Sequence, residues 1–147
     1  MNLQIINFYD KETQITKNFF CKKNGGENKS PRIIWKKIPQ AQCYSLIMED
    51  PKSINGNTIH WFIPTICKNK VIYGLNTYNK IGWYGPCPQP NTGIHKYIFT
   101  LYALDKIFEY DISNQIKSSQ HYEQLLKQDN IRILDKQIVS FDYNTNI

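Results

Sequence analysis

No Asp or Glu occurs between Pro51 and Thr100 of this 147-residue chain, a stretch that holds five of its sixteen lysines. Most of the formal charge of +6 therefore sits in the middle third. Arginine is scarce as well, with Arg32 and Arg132 alone. Base-edge readers rely on that side chain, so no nucleic-acid partner is expected. No run of 18 apolar residues is present, which excludes a hydrophobic transmembrane helix. Asp10 and Glu12 interrupt the amino-terminal segment before a signal-peptide core can form. The expectation is a non-secreted, cytoplasmic protein. Cysteine is sparse and scattered: Cys21, Cys43, Cys67 and Cys87 lie 22, 24 and 20 residues apart with no CxxC pair. That spacing argues against a compact zinc knuckle or a thioredoxin-type motif. The four are expected as free thiols in a reducing compartment. A GxSxG elbow is also missing, and Ser45 and Thr92 are the oxygen nucleophiles nearest the polar residues described below, so hydrolase chemistry lacks support.

What is present describes a globular chain. Hydrophobic residues make up 41%, aromatics 14% and charged residues 20%, outside the range of disordered or low-complexity sequences. The length predicts a single domain, 1–147, large enough to fold without disulfides. Ile (22), Lys (16), Asn (15) and Tyr (10) dominate the composition. That bias matches translation of an AT-rich genome and weakens the net charge as a sign of a polyanionic partner. Short runs of branched and aromatic residues at 3–8, 33–35, 43–48, 59–66, 70–73, 96–104 and 131–139 predict strands, with turn signals at Pro39, Asp50-Pro51 and Asn55-Gly56. KKNGGENKSP at 22–31 predicts a loop. The Gly/Pro-rich stretch 74–93 predicts a longer one, of a length that tends to be functional. Only SQHYEQLLKQ at 119–128 predicts a helix, with Tyr122, Leu125 and Leu126 on one face and Ser118 or Ser119 as cap. The fold class expected is all-β: an antiparallel β-sandwich with one late short helix.

Polar residues at the ends of apolar strands are the candidates for chemistry. Asp50 closes the strand YSLIME, where Pro51 restricts its backbone. His60 heads the run HWFI, and a period of two turns its imidazole away from Trp61. His95 and Tyr97 follow the Gly/Pro loop and share a face, with Lys96 on the other. If Asp50 holds one nitrogen of an imidazole, it favours the protonated ring and leaves the other nitrogen for a ligand. The Tyr97 hydroxyl and loop N–H groups add neutral donors, a set suited to a tetrahedral oxyanion such as a phosphate ester. Asp50, His60, Cys87 and His95 carry zinc-type donors, but no tight ligand pair anchors them, and neither metal nor cofactor is expected. His121 is expected at the surface, and Met48, Trp35, Trp61, Phe62 and Phe99 in the core.

At these positions the chain resembles the phosphatidylethanolamine-binding protein family, also called the Raf kinase inhibitor protein family. Asn28-Lys29-Ser30-Pro31 with Ile34-Trp35 is similar to the family's NxSPxLxW motif. SLIMEDPKS at 45–53 is similar to the run ending in DPDAP, and His60-Trp61 to the HW pair. Asn76 stands where EGxN is usual, residues 84–88 resemble YxGPCPP, and residues 95–105 resemble HRYxFxLYALD. The resemblance implies a β-sandwich with Greek-key features and a small anion pocket built from Asp50, His60, Pro86, His95 and Tyr97, with Lys52, Cys87 and Gln89 at its rim. It also implies a non-enzymatic role: holding a phosphate, a phosphomonoester headgroup or a phosphopeptide, and regulating a partner such as a kinase or protease. The alternative is a small hydrolase or a protease or kinase inhibitor using the same pocket. The chain's length matches the compact bacterial and archaeal branch, in which dimers occur, so a homodimer is plausible, and weak contact with an anionic membrane surface fits the basic middle third. Three departures stand out: Lys52 replaces the second acid of DPDAP, Ile54 replaces its last proline, and Gln89 interrupts the Pro-Pro pair. A Lys52 facing the site favours a doubly charged phosphate. A Lys52 facing solvent only removes a rim carboxylate.

Overall fold

The computed structural model describes residues 1–9, 14–53, 56–67, 70–72, 82–111 and 115–146. In chain order these form β1 (Gln4–Ile6), β2 (Arg32–Ile34), β3 (Cys43–Ser53), β4 (Gly56–Cys67), β5 (Lys70–Ile72), β6 (Ile94–Leu104), α1 (Ser119–Gln128) and β7 (Ile133–Asn144). All pairings are antiparallel. One sheet pairs β1 with β2, and a five-stranded sheet has the order β5-β4-β3-β6-β7. Mostly antiparallel sheet with one late helix is thus the architecture, as the strand runs and the single helical period predict. Tyr73 and Asn76 lie outside the described residues, as does Ile54.

β3, β4 and β6 read as continuous apolar runs because both faces of the central sheet are covered. Leu46, Met48, Trp61, Phe99 and Leu101 pack on one side against Leu3, Ile5 and Phe8 of the amino-terminal segment. On the other side Ile47, Ile59, Phe62, Tyr102 and Leu104 pack against Tyr122 and Leu126 of α1 and against Phe108 and Ile116. Trp35, expected in the core, is only half-buried. β7 extends beyond the expected end at 139 to Asn144. Polar Ser140, Asp142 and Asn144 alternate there with half-buried Val139, Phe141 and Tyr143, which pack on the first core. The helix starts where its cap was expected: Ser118 Oγ accepts from the His121 N–H at 3.0 Å. Buried Glu49 anchors that same turn, since its Oε1 accepts from Ser119 N–H at 3.3 Å and from Asn57 Nδ2 at 3.0 Å. No helix among the described residues is long and apolar enough to cross a membrane.

The cysteines depart from expectation. Cys21 and Cys87 form a disulfide with a sequence separation of 66, while Cys43 and Cys67 stay free. The inference of a reducing compartment, which rested on four free thiols, loses that support. Spacing along the chain hid this pair because the fold, not a local motif, brings the 17–28 segment against residues 82–88. A loop of this length restricts the unfolded chain by about 4 kcal/mol in the chain-entropy model. Reduction by a dithiol, or Cys87→Ser, is expected to lower the urea-unfolding free energy by roughly 3–4 kcal/mol. An unchanged midpoint after verified reduction contradicts that role.

Candidate functional site

The site begins with a buried pair joining β3 to β6. Asp50 and His95 are 2% and 3% exposed. Asp50 Oδ2 accepts from His95 Nδ1 at 2.8 Å, and Oδ1 accepts from the Lys52 backbone N–H at 2.9 Å. The second ring nitrogen does not stay open to a ligand, contrary to the expectation for a ring held by Asp50. His95 Nε2 lies 2.7 Å from Thr92 Oγ1, whose hydroxyl reaches the Gln89 carbonyl at 2.7 Å. A tight turn over residues 89–92 folds Thr92 back onto the imidazole three residues later. His95 is therefore clamped from both nitrogens.

His60 enters by a different device. Met48 pairs with Trp61 but Glu49 pairs with Ile59, so β4 carries an extra residue at His60, a β-bulge. Strict alternation puts His60 and Trp61 on opposite faces. The bulge resets the phase, so that Thr58 and His60 line the pocket while Trp61 and Ile63 keep to the first core. His60 Nδ1–H donates to the Tyr84 carbonyl at 2.6 Å, and Tyr84 N–H donates back to the His60 carbonyl at 2.8 Å. The Tyr84 ring stacks on the imidazole at 5.8 Å, and Tyr97 meets it edge-on at 5.6 Å. Burial pulls the His60 pKa down to about 4, against the smaller upward pulls of the Tyr84 carbonyl and Asp50. The ring is neutral at pH 7 with its proton on Nδ1, which makes Nε2 an acceptor. Burial pushes the Tyr97 phenol up, with Asp50 adding to the effect, so its hydroxyl remains a neutral donor.

Asp50, His60, His95 and Tyr97 thus converge on one cavity of about 220 Å³. Cys87 and Gln89 line it too. Pro86 does not: it is buried behind the wall, where its carbonyl accepts from Cys21 N–H at 3.0 Å. Lys52 has an exposed side chain and stands outside the lining. Ser53, Thr58, Tyr84 and Pro88 complete the lining and were not anticipated. Thr58 lines the cavity because it pairs directly with Asp50, and Ser53 because a further register shift between Asp50 and Ser53 turns it inward, a shift with no single-residue signature.

The pocket wall, residues 83–88, is fastened to the 18–28 segment. Besides the disulfide, Gly85 N–H donates to Asn28 Oδ1 at 2.7 Å, Asn24 Nδ2 to the Pro88 carbonyl at 2.9 Å, and Trp83 Nε1 to the Phe19 carbonyl at 3.3 Å. A Cβ on Gly85 falls 2.1 Å from the Phe19 carbonyl oxygen, so only glycine allows this approach. Among the described residues no group of three or more His, Cys, Asp or Glu is placed to hold a metal ion, and the disulfide occupies the Cys87 sulfur, one of the four zinc-type donors named from the sequence.

Comparison with known proteins agrees with the fold. The family model for phosphatidylethanolamine-binding protein matches residues 7–144. A UPF0098 protein of Methanothermobacter thermautotrophicus is 31% identical over 126 residues, covering 74% of this chain and 80% of the relative. A UPF0098 protein of Chlamydia pneumoniae is 36% identical over 109 residues, covering 63% and 69%. For an Aquifex aeolicus relative at 29% identity the shares are 62% and 61%. Among solved structures, a phosphatidylethanolamine-binding protein homologue of Chlamydia trachomatis superposes with a TM-score of 0.69 at 28% identity, covering 96% of this chain and 95% of that one. Escherichia coli YbcL shares the fold with a TM-score of 0.76 at 17% identity, covering 99% and 97%. The matched span takes in every strand from β3 to β7 and every residue lining the pocket, and the chain belongs to the phosphatidylethanolamine-binding protein family.

Proposed function

We propose that the pocket binds a phosphate-like anion, either inorganic phosphate or the phosphomonoester head of a larger ligand, without turning it over. The observation that carries the reading is the convergence of buried Asp50, His60, His95 and Tyr97 on a 220 Å³ cavity. That volume is below the usual range for drug-sized ligands and suits a headgroup. The order β5-β4-β3-β6 is read as a Greek key, whose long return connection carries the pocket wall and delivers His95 beside Asp50. The Tyr97 hydroxyl is a neutral donor, whereas Ser53 Oγ donates to the Gly56 carbonyl and the Thr58 hydroxyl is held by Ser53 Oγ at 2.6 Å, so both shape the cavity without offering it a proton. Neutral His60 presents an acceptor, so the preferred partner is a phosphate that still carries one proton, or one whose binding brings a proton to His60. Lys52, directed to solvent, contributes only long-range attraction, so a preference for the dianion loses its support. Regulation of a protein partner such as a kinase or protease, homodimerisation and weak membrane-surface contact remain the expectations the family resemblance carries.

A second reading has one observation in its favour. Thr92 Oγ1, His95 Nε2 and Asp50 Oδ2 form a hydroxyl–imidazole–carboxylate chain with links of 2.7 and 2.8 Å, the geometry of an activated nucleophile. Against it, Thr92 Oγ1 also donates to the Gln89 carbonyl, Thr92 N–H is spent on Thr145 Oγ1, and Gly93 N–H is spent on Asn146 Oδ1. Those two neighbouring donors are therefore not free to form an oxyanion hole.

Two measurements test these readings. Titration with inorganic phosphate or phosphoethanolamine, followed on the His60 and His95 ring resonances, is expected to shift His60 and to tighten as pH falls from 8 to 6. Tyr97→Phe is expected to weaken binding about tenfold, and Lys52→Asp by no more than a small, salt-sensitive factor. No perturbation at millimolar ligand contradicts an anion site, whereas ester turnover abolished by Thr92→Val or His95→Ala establishes the second reading. The ligand-free protein supplies the other measurement. Unfolded His60 takes up a proton near pH 6.5 and folded His60 only near 4. Stability from this residue is thus complete above pH 6.5 and is lost as pH falls toward 4, by about 3 kcal/mol. Urea unfolding across that window is expected to flatten in His60→Asn relative to the wild type. Identical slopes for the two proteins contradict a neutral buried His60.

A further inference from the structure

Cys43 and Cys67 are the two thiols left outside the disulfide. Cys43 is the first residue of β3 and Cys67 the last of β4. Tyr44 pairs with Ile66, so continuing the antiparallel register by one step sets Cys43 opposite Cys67. Directly opposed residues of an antiparallel pair have Cα atoms about 4.5 or 5.5 Å apart and side chains on the same face, both within the span a disulfide bridges. The two sulfurs differ in access. Cys43 is 1% exposed, with its Sγ 3.4 Å from the Lys106 carbonyl. Cys67 is half-buried at the edge of the second core and borders a surface groove of about 470 Å³. Lys37 also lines this groove. An accessible cysteine backed by a buried partner is the layout of a peroxide-sensing pair.

We propose that Cys43 and Cys67 form an oxidisable dithiol, with Cys67 as the attacking sulfur, Cys43 as the resolving sulfur and a hydroperoxide as the oxidant. The Cys67 thiolate attacks one peroxide oxygen and the O–O bond breaks. The leaving oxygen departs as water, or as an alcohol from an organic hydroperoxide, and Cys67 is left as a sulfenic acid. Cys43 sulfur then attacks Cys67 sulfur, the S–O bond breaks, and the released hydroxide leaves as water with the Cys43 proton. Two thiols lose two electrons to form one cross-strand disulfide, and the hydroperoxide is reduced by the same two. Burial pushes the Cys43 thiol up to about 12, which keeps it protonated and silent until Cys67 has reacted. This site rests on the strand register and is independent of what occupies the anion pocket.

The full chain, treated with stoichiometric hydrogen peroxide, denatured, alkylated and mapped as non-reduced peptides, tests the assignment. Alkylatable thiols are expected to fall from two per chain to none, with a new Cys43–Cys67 cross-linked peptide beside the unchanged Cys21–Cys87 one. In Cys43→Ser, a dimedone-trapped sulfenic acid is expected on Cys67, at least tenfold above the wild-type level. Sulfenic or sulfinic acid accumulating on Cys67 of the wild-type chain without a cross-link overturns the proposal. Survival of both thiols overturns it as well. The wild-type result decides even if the variant does not fold.

Discussion

The contact between Asp50 and His95 joins two strands that are neighbours in space and 45 residues apart in sequence, and much of the site is arranged around keeping it satisfied. A carboxylate with almost no solvent access needs partners for both oxygens, and it has them in His95 Nδ1 and Lys52 N–H. The imidazole in turn needs a partner for its far nitrogen, which the 89–92 turn supplies through Thr92. Removing either member leaves a buried polar group uncompensated, at a cost of about 3–5 kcal/mol when the pair is charged. The same pair fixes where the mouth of the pocket stands relative to β3 and β6.

His60 depends on that frame. With Asp50 and His95 occupied by each other, His60 is the other imidazole lining the pocket, and the β4 bulge together with the Tyr84 carbonyl decides its direction and its tautomer. The wall carrying Tyr84 has little regular structure of its own. It is held by the disulfide, by Asn24 and Asn28, and by the close approach at Gly85. The 17–28 segment, whose residues from Lys22 onward belong to the loop predicted at 22–31, is thus the outer brace of the pocket.

Much of this was legible in sequence because it follows from local periodicity. The helix at 119–128 and its Ser118 cap come from an apolar spacing and a hydroxyl, both local signals. The cores of β3, β4 and β6 come from branched and aromatic runs, and the grouping of Asp50, His60, His95 and Tyr97 from strand ends and the family motifs. What escaped is not carried by local periodicity. The Cys21–Cys87 disulfide depends on packing between distant segments, the Thr92 clamp on His95 on the 89–92 turn, and the inward turn of Ser53 and outward turn of Lys52 on the hairpin's register shift. A period of two cannot register an inserted residue, so alternation alone does not account for His60 on the cavity wall.

A crystal of the protein soaked with a phosphomonoester at neutral pH tests the central claim most directly. The phosphate is expected inside the pocket, within hydrogen-bond reach of His60 Nε2 and the Tyr97 hydroxyl, with the Asp50–His95–Thr92 chain unmoved and Lys52 in solvent. An anion found only on exposed lysines, or a His95 ring that leaves Asp50 to meet it, contradicts the assignment.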